Sequence, residues 1–293
     1  MSKIGLIIDE GADLTPEIIE KYQIAVVPLK VEWPSEIMEL SGENIFHKMR
    51  EADKRGIKIF CKTSQPSPKD FLDIFKTQLD KFDKVIYISI TSKLSGTYNS
   101  AIQAINFLPE EQKNNVFVID SLNAICGEGL LALKAAELIN KSDDIEAIVK
   151  ELRETPVQIH LYAILEDPKW LEYAGRLSPT SANWVRRAAG FGIRPILGFK
   201  EGILKPIGVK TGVKDIPEAL FQELESKTKK SRQEGKKIKV FISHIINLEG
   251  AKKLEKLIKE NLNNSEVVLI SSVDYIVGSI VGPGLVGLAW YAE

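Results

Sequence analysis

The sequence predicts an α/β protein of two domains: an N-terminal parallel sheet flanked by helices, then a C-terminal mixed-sheet α/β domain. Three observations predict it. Short apolar runs rich in β-formers alternate with amphipathic stretches through the first half, the pattern of parallel strands joined by crossover helices. The connections between them are hydroxyl-rich turns that double as helix caps. In the second half, Arg194–Phe199 and Ile203–Val209 are strand-like runs separated by a turn at Gly202, so that sheet is at least partly antiparallel. The 293 residues, 44% of them hydrophobic, suffice for one large or two medium domains with a substantial core. A boundary near Pro156–Asp167 divides the chain into 1–160 and 161–293.

Lys3–Ile8 is the first strand and runs into the turn composition Asp9-Glu10-Gly11-Ala12-Asp13. Thr15 caps a helix with Pro16 at its first position and Ile18, Ile19 and Tyr22 inward. Ala25–Trp33 reads as a second strand. Asn44–Arg55 is an amphipathic helix with Ile45, Phe46 and Met49 on one face, ended by Gly56. Lys58–Cys61 is a short strand leading to Thr63-Ser64-Gln65-Pro66-Ser67. There Ser67 is the N-cap, Pro68 takes the first helical position and Asp70 falls in the first turn. Phe71, Leu72, Phe75 and Leu79 continue that helix's apolar face.

Val85–Ile90 is a buried strand, Thr91–Thr97 a hydroxyl-dense turn, and Tyr98, Ala101, Ile102 and Ile105 recur at helical spacing. Val116–Asp120 is the next strand; Ser121 opens a turn to Gly129, and a helix follows through Ile139. Lys141–Thr155 is helical and Val157–Leu165 a strand. Asp167-Pro168 starts a short helix ended by Gly175, and Arg176-Leu177-Ser178-Pro179 opens another. Beyond the hairpin, Ile216–Lys230 and Leu248–Leu262 are helices, and Ile238–Ser243 and Val267–Ile270 are strands. Tyr275–Ala292 carries no charge over 18 positions. Gly278, Gly282, Pro283, Gly284 and Gly287 interrupt it, so it reads as strand, glycine turn, strand rather than a membrane span.

Composition excludes several function classes. Lys+Arg number 39 against 40 Asp+Glu, so no net charge selects nucleic acid or an anionic membrane. The basic run Lys227–Lys239 is flanked and interleaved by Glu223, Glu225 and Glu234 without aromatics, as in a solvated helix end. Cys61 and Cys126 form no metal or redox motif and fit a reducing compartment. The start, MSKIGLIIDEGADL, is no signal peptide, and a cytoplasmic location is expected. Neither G-x-G-x-x-G after a strand nor G-x-x-x-x-G-K-[ST] is present, so no nucleotide cofactor is expected.

In a parallel sheet, ligands bind outside the carboxyl ends of the strands. The turns at Asp9–Asp13, Thr63–Ser67, Ser95–Thr97 and Ser121 would open there, and they offer hydroxyls rather than cations. Ser95, Gly96 and Thr97 sit where a helix begins, so free backbone N–H groups lie beside side-chain hydroxyls. That corner suits one carboxylate or phosphate, or serves as an ordinary N-cap. Asp9 and Asp13 are turn and cap residues or a metal pair without a third local acid. Ser95 as a hydrolase nucleophile lacks a G-x-S-x-G frame and has only His47, His160 and His244 as candidate bases.

The chain resembles the DegV family over nearly its whole length. The resemblance rests on Thr63-Ser64-Gln65-Pro66-Ser67 after a strand, Leu94-Ser95-Gly96-Thr97-Tyr98, and Asp120-Ser121 with Gly127-x-Gly129. It continues in Gly175-Arg176-Leu177-Ser178, Arg194-Pro195-Ile196-Leu197 and Gly282-Pro283-Gly284. The resemblance implies two α/β domains with a long-chain fatty acid in a buried tunnel between them and no cofactor. It implies head-group contacts at Thr63, Ser64 and Ser95, with backbone at Gly96, Gly282 and Gly284. A fatty acid kinase subunit is the implied partner, with neither nucleic acid binding nor stable membrane insertion. Two positions depart from the family pattern: Ile280 stands where many members have a histidine, and Lys210 where kinase-associated members have an arginine. Phe191 and Arg176 are candidate tunnel or partner residues, and Arg176 equally a domain-bridging hydrogen-bond donor. The alternatives are a hydrolase or other enzyme acting on a small carboxylate or phosphate at the Ser95 turn, and a regulatory module sensing a ligand by domain closure.

Overall fold

The computed structural model describes residues 4–58, 60–191 and 193–293. Its contacts divide the chain into two units. The first holds the chain up to Lys30, Ser64–Ile159 and Glu201–Ile203; the second holds Val31–Thr63, His160–Lys200 and Leu204–Glu293.

The sheet of the first unit contains β1 (Ile4–Asp9), β2 (Ala25–Val27), β5 (Lys84–Ser89) and β6 (Val116–Asp120), in the order β2-β1-β5-β6. All three pairings are parallel, with Asp9 beside Val27 and Ser89 beside Asp120. Parallel strands need covering on both faces, and the pattern shows why both are covered. Ile7, Val85, Tyr87, Val116 and Val118 point to one side and pack with Phe71, Phe75, Ala101 and Ala104 of the helices Pro68–Leu79 and Thr97–Ile105. Helix Ile125–Lys141 packs on β1 and β5, and helix Ile145–Glu154 packs on β6. The expected start at Ser67-Pro68 is a full capping box, with Asp70 N donating to Ser67 Oγ and Ser67 N donating to Asp70.

Between β2 and β5 lie β3 (Lys30–Glu32) and β4 (Lys62–Ser64), which form a separate two-stranded sheet. The expected single strand Ala25–Trp33 is therefore two short ones. Pro28 has no N–H to give a ladder, which is the physical reason for the break. The strand expected at Lys58–Cys61 lies instead at Lys62–Ser64; of the expected span, Ile59 is outside the described residues.

The sheet of the second unit adds β7 (His160–Ile164), β8 (Arg194–Lys200), β9 (Ile203–Lys210), β10 (Ile238–His244), β11 (Ser265–Ser272) and β12 (Val286–Ala292). Its order is β11-β10-β12-β7-β8-β9. β10 and β11 are parallel, whereas β10–β12, β12–β7 and β7–β8 are antiparallel, so the sheet is mixed as expected. β8 and β9 are joined at Glu201-Gly202, both at positive φ (54° and 78°), the backbone of a tight hairpin. Helices Ile216–Gln233 and Leu248–Asn261 cover one face around Leu220, Leu224, Leu254 and Ile258.

Two further expectations are corrected. Tyr275–Ala292 is not strand, turn, strand: its first part is the helix Tyr275–Val281 and only Val286–Ala292 is a strand. Asp274 starts that helix by accepting from Ile276 N (2.6 Å) and Val277 N (3.0 Å), a capping gain that outweighs the β-branched residues behind it. The turn expected to run to Gly129 ends at Ala124, and Gly127 and Gly129 lie inside a helix. Gly127 serves close packing there, since a Cβ on it would meet the Asn123 side chain at 2.7 Å. Among the described residues, no helix is long and apolar enough to cross a membrane.

Candidate functional site

Asp9 ends β1 and is fully buried. One carboxylate oxygen accepts from Gly11 N (3.0 Å), the other from Tyr87 OH (2.7 Å) and Ile90 N (3.0 Å). Glu128, also fully buried, hydrogen bonds to Asp9 from helix Ile125–Lys141. Burial pushes Asp9 above the ordinary carboxylate range despite its hydrogen bonds. The same burial, with the neighbouring acids, raises Tyr87 well above the usual phenol value. Asp9 is thus a structural knot under the sheet edge. Among the described residues, no three His, Cys, Asp or Glu side chains converge to hold a metal ion.

The turn after β5 is held from several sides. Thr91 N donates to Asn123 O (2.8 Å), and Thr91 Oγ1 to Gly202 O (3.1 Å). Asp120 accepts from Leu122 N (2.9 Å) and Ser92 N (3.3 Å). Ser95 N returns to Thr91 O at 3.2 Å. At the mouth of helix Thr97–Ile105, the half-buried Ser95 places its hydroxyl 2.7 Å from the buried Thr97 Oγ1 and accepts from Thr97 N at 3.3 Å. If Thr97 donates both, the Ser95 proton is left for a ligand. Among the described residues, Gly96 N–H has no acceptor. Ser95 and Gly96 therefore place a hydroxyl and a backbone N–H on adjacent residues at the helix start.

Gln65 joins them from the loop after β4, a role that sequence reading missed. Its Nε2 donates to the buried Ser100 Oγ at 2.9 Å, and its amide lies across Gly96. In the structure Gly96 has an ordinary backbone conformation (φ −77°), so its missing side chain answers to the close approach of Gln65 rather than to its own backbone. Thr63 is half-buried and Ser64 exposed at the end of β4.

In the second unit, the Gly282-Pro283-Gly284 turn follows helix Tyr275–Val281. Gly282 and Gly284 have φ of 89° and 90°, conformations that favour glycine. Their N–H groups are engaged, Gly282 N on Gly278 O (2.8 Å) and Gly284 N on Ile245 O (3.0 Å). Asn247 Nδ2 donates to Gly284 O (3.3 Å). The turn is packed against Trp170 at Gly282 and Glu166 at Gly284, and Glu166 pairs with Arg50 at 2.6 Å. Ile280 packs against the apolar cluster of Leu171, Leu177, Ala182, Val185 and Leu197. Cys61 Sγ lies 2.9 Å from Ser279 Oγ, and burial raises its thiol.

Phe191 is 84% exposed just beyond helix Pro179–Gly190. Arg176 is exposed and donates to Ala174 O (3.4 Å). Lys210, at the end of β9, pairs with Glu223 at 2.8 Å. The histidines have local partners: His47 Nδ1 with Asn44 Oδ1, His160 with the Trp290 ring, and His244 Nδ1 accepting from Asn247 N. Burial lowers the His160 and His244 values.

The family model described as "Uncharacterised protein, DegV family" matches residues 3–293. A DegV domain-containing protein of Clostridium perfringens is 33% identical over 234 residues, 78% of this chain and 80% of that one. A Thermotoga maritima protein named fatty acid-binding protein is 32% identical over 304 residues, covering 97% of this chain and 96% of the other. A solved Thermotoga maritima structure, described as revealing fatty acid binding function, superposes with a TM-score of 0.75 at 28% identity over 100% of both chains.

Proposed function

The chain belongs to the DegV family, and on that premise we propose that it binds a long-chain fatty acid whose carboxylate is received at the Ser95–Gly96 turn. The observation that carries this is the adjacent pair of donors, the Ser95 hydroxyl and the Gly96 N–H, at the start of a helix whose dipole favours an anion. The Thr63 and Ser64 hydroxyls remain proposed head-group contacts. Gly282 and Gly284 enter the proposal as a fixed turn, because their own N–H groups already have acceptors.

Magnitudes divide the labour. About fourteen buried methylenes at roughly 0.8 kcal/mol each offer about 11 kcal/mol before association costs. A hydrogen bond to a charged group contributes roughly 1.5–3 kcal/mol. The tail supplies most of the affinity, and the donors set the depth and orientation of the head. No chemistry is asked of the protein beyond holding the acid, in a reducing cytoplasm where Cys61 and Cys126 stay as thiols. Presentation of the bound acid to a fatty acid kinase extends the same reading. In this chain docking through residue 210 would have to accommodate the Lys210–Glu223 pair.

Mass spectrometry of the purified protein, native and then after organic extraction, tests the reading. A near-stoichiometric acid of fourteen to eighteen carbons is expected. An empty protein that also fails to take up added palmitic acid would count against lipid binding.

A further inference from the structure

We propose that Gln65 is a positioning and selectivity residue of the carboxylate site, with one amide N–H anchored on Ser100 and the other available to an anionic head group. The inference rests on the fatty-acid-binding reading of that site.

Gly96 is a glycine for want of space. Its backbone (φ −77°, ψ 2°) is open to other residues, so conformation does not demand glycine there. Space does: a Cβ would collide first with Gln65 Oε1, and would stand 2.5 Å from its Cδ and 2.6 Å from its Nε2. The amide is therefore seated directly on the backbone that carries the free N–H.

A primary amide has two N–H donors. The bond to Ser100 Oγ (2.9 Å) uses one, and Ser100 is buried, so this anchor is shielded from water. Residue Gln65 is otherwise exposed, and an unanchored glutamine there would keep its rotamer freedom. Anchoring removes that freedom before a ligand arrives, which lowers the cost of a third head-group contact.

A carboxylate offers two oxygens with about four acceptor positions. Ser95 and Gly96 serve part of these, and Gln65 adds a neutral donor that an alcohol, with one oxygen, has little use for. Hydrogen bonds to a charged acceptor are also the stronger kind.

The test measures displacement of cis-parinaric acid from wild type, Gln65→Leu and Gln65→Glu by palmitic acid and by 1-hexadecanol at pH 8, with thermal midpoints recorded. Gln65→Leu is expected to weaken palmitate about tenfold and to leave hexadecanol within twofold. Gln65→Glu is expected to weaken palmitate further, because a like charge then faces the head group, again sparing the alcohol. If wild type binds palmitate and the variants bind both ligands as wild type does, or lose both equally, the Gln65 role is overturned and the lipid reading stands. A wild type that takes up neither ligand overturns the lipid reading, and the Gln65 role with it.

Discussion

Lys210 Nζ stands 2.8 Å from the Glu223 carboxylate, and both side chains are largely withdrawn from water. Lys227 approaches the other Glu223 oxygen at 3.7 Å from a more exposed position. Removing the close partner leaves a mostly buried carboxylate with a weak one. Lys210→Met should cost about 1–3 kcal/mol in urea unfolding, and Glu223→Leu combined with it should recover much of that loss. Lys210→Arg should be nearly neutral, because the guanidinium keeps the pair.

Ser95→Ala should leave the unfolding midpoint within a few degrees of wild type and weaken palmitic acid at least tenfold, roughly the worth of one hydrogen bond to a charged group. Titration with cis-parinaric acid reads the affinity, and native mass spectrometry reads the acyl occupancy. Unchanged affinity would place the head group elsewhere.

Gly282→Ala meets two obstacles at once. Its φ of 89° disfavours a side chain, and the new Cβ would lie 2.5 Å from Cγ of the buried Trp170 ring. A loss of about 2–4 kcal/mol is expected. Gly175→Ala is the control: φ is 68°, but no atom lies within 4 Å of the new Cβ. It should cost only about 1–2 kcal/mol. Chemical denaturation of the two variants separates crowding from backbone strain.

Stability should fall on both sides of a pH optimum. Burial raises Asp9, so its contribution is complete below the unfolded carboxylate value of about 3.9 and is lost as pH rises through the folded value. His160 and His244 run the other way: burial lowers them, so their contribution is present above about 6.5 and is lost as pH falls through their folded values. Glu128→Gln replaces the neighbouring acid with a neutral amide that can donate to Asp9. Urea unfolding from pH 4 to 9 should show a flatter loss with rising pH in that variant, with the histidine-dependent loss on the acid side unchanged.

Much of this molecule was legible in the order of its residues. The alternation of apolar runs with capped amphipathic stretches determined most strands of the two larger sheets and the helices that cover them. Ser67-Pro68-Asp70 and Ser178-Pro179 marked helix starts, and Leu94–Tyr98 marked the turn that carries the candidate donors. These are short-range effects, in which a residue within a few positions decides a backbone angle or satisfies an orphan N–H.

Tertiary structure decided the rest, and for a common reason: the deciding partner is remote in sequence. Phe46 fills the space over Gly278 that any larger residue would close, within a helix that apolar periodicity reads as a strand. Gln65 makes Gly96 a packing glycine, and Asn123 does the same for Gly127. Glu223 turns Lys210 from a free surface cation into half of an ion pair. Val31–Thr63 follows the second unit although it precedes most of the first, because contacts rather than chain order define a unit. Local sequence determined most of the elements and where the hydroxyls stand. Only folding decided which remote side chain each glycine, acid and cation meets, since burial and close approach are properties of the packed chain.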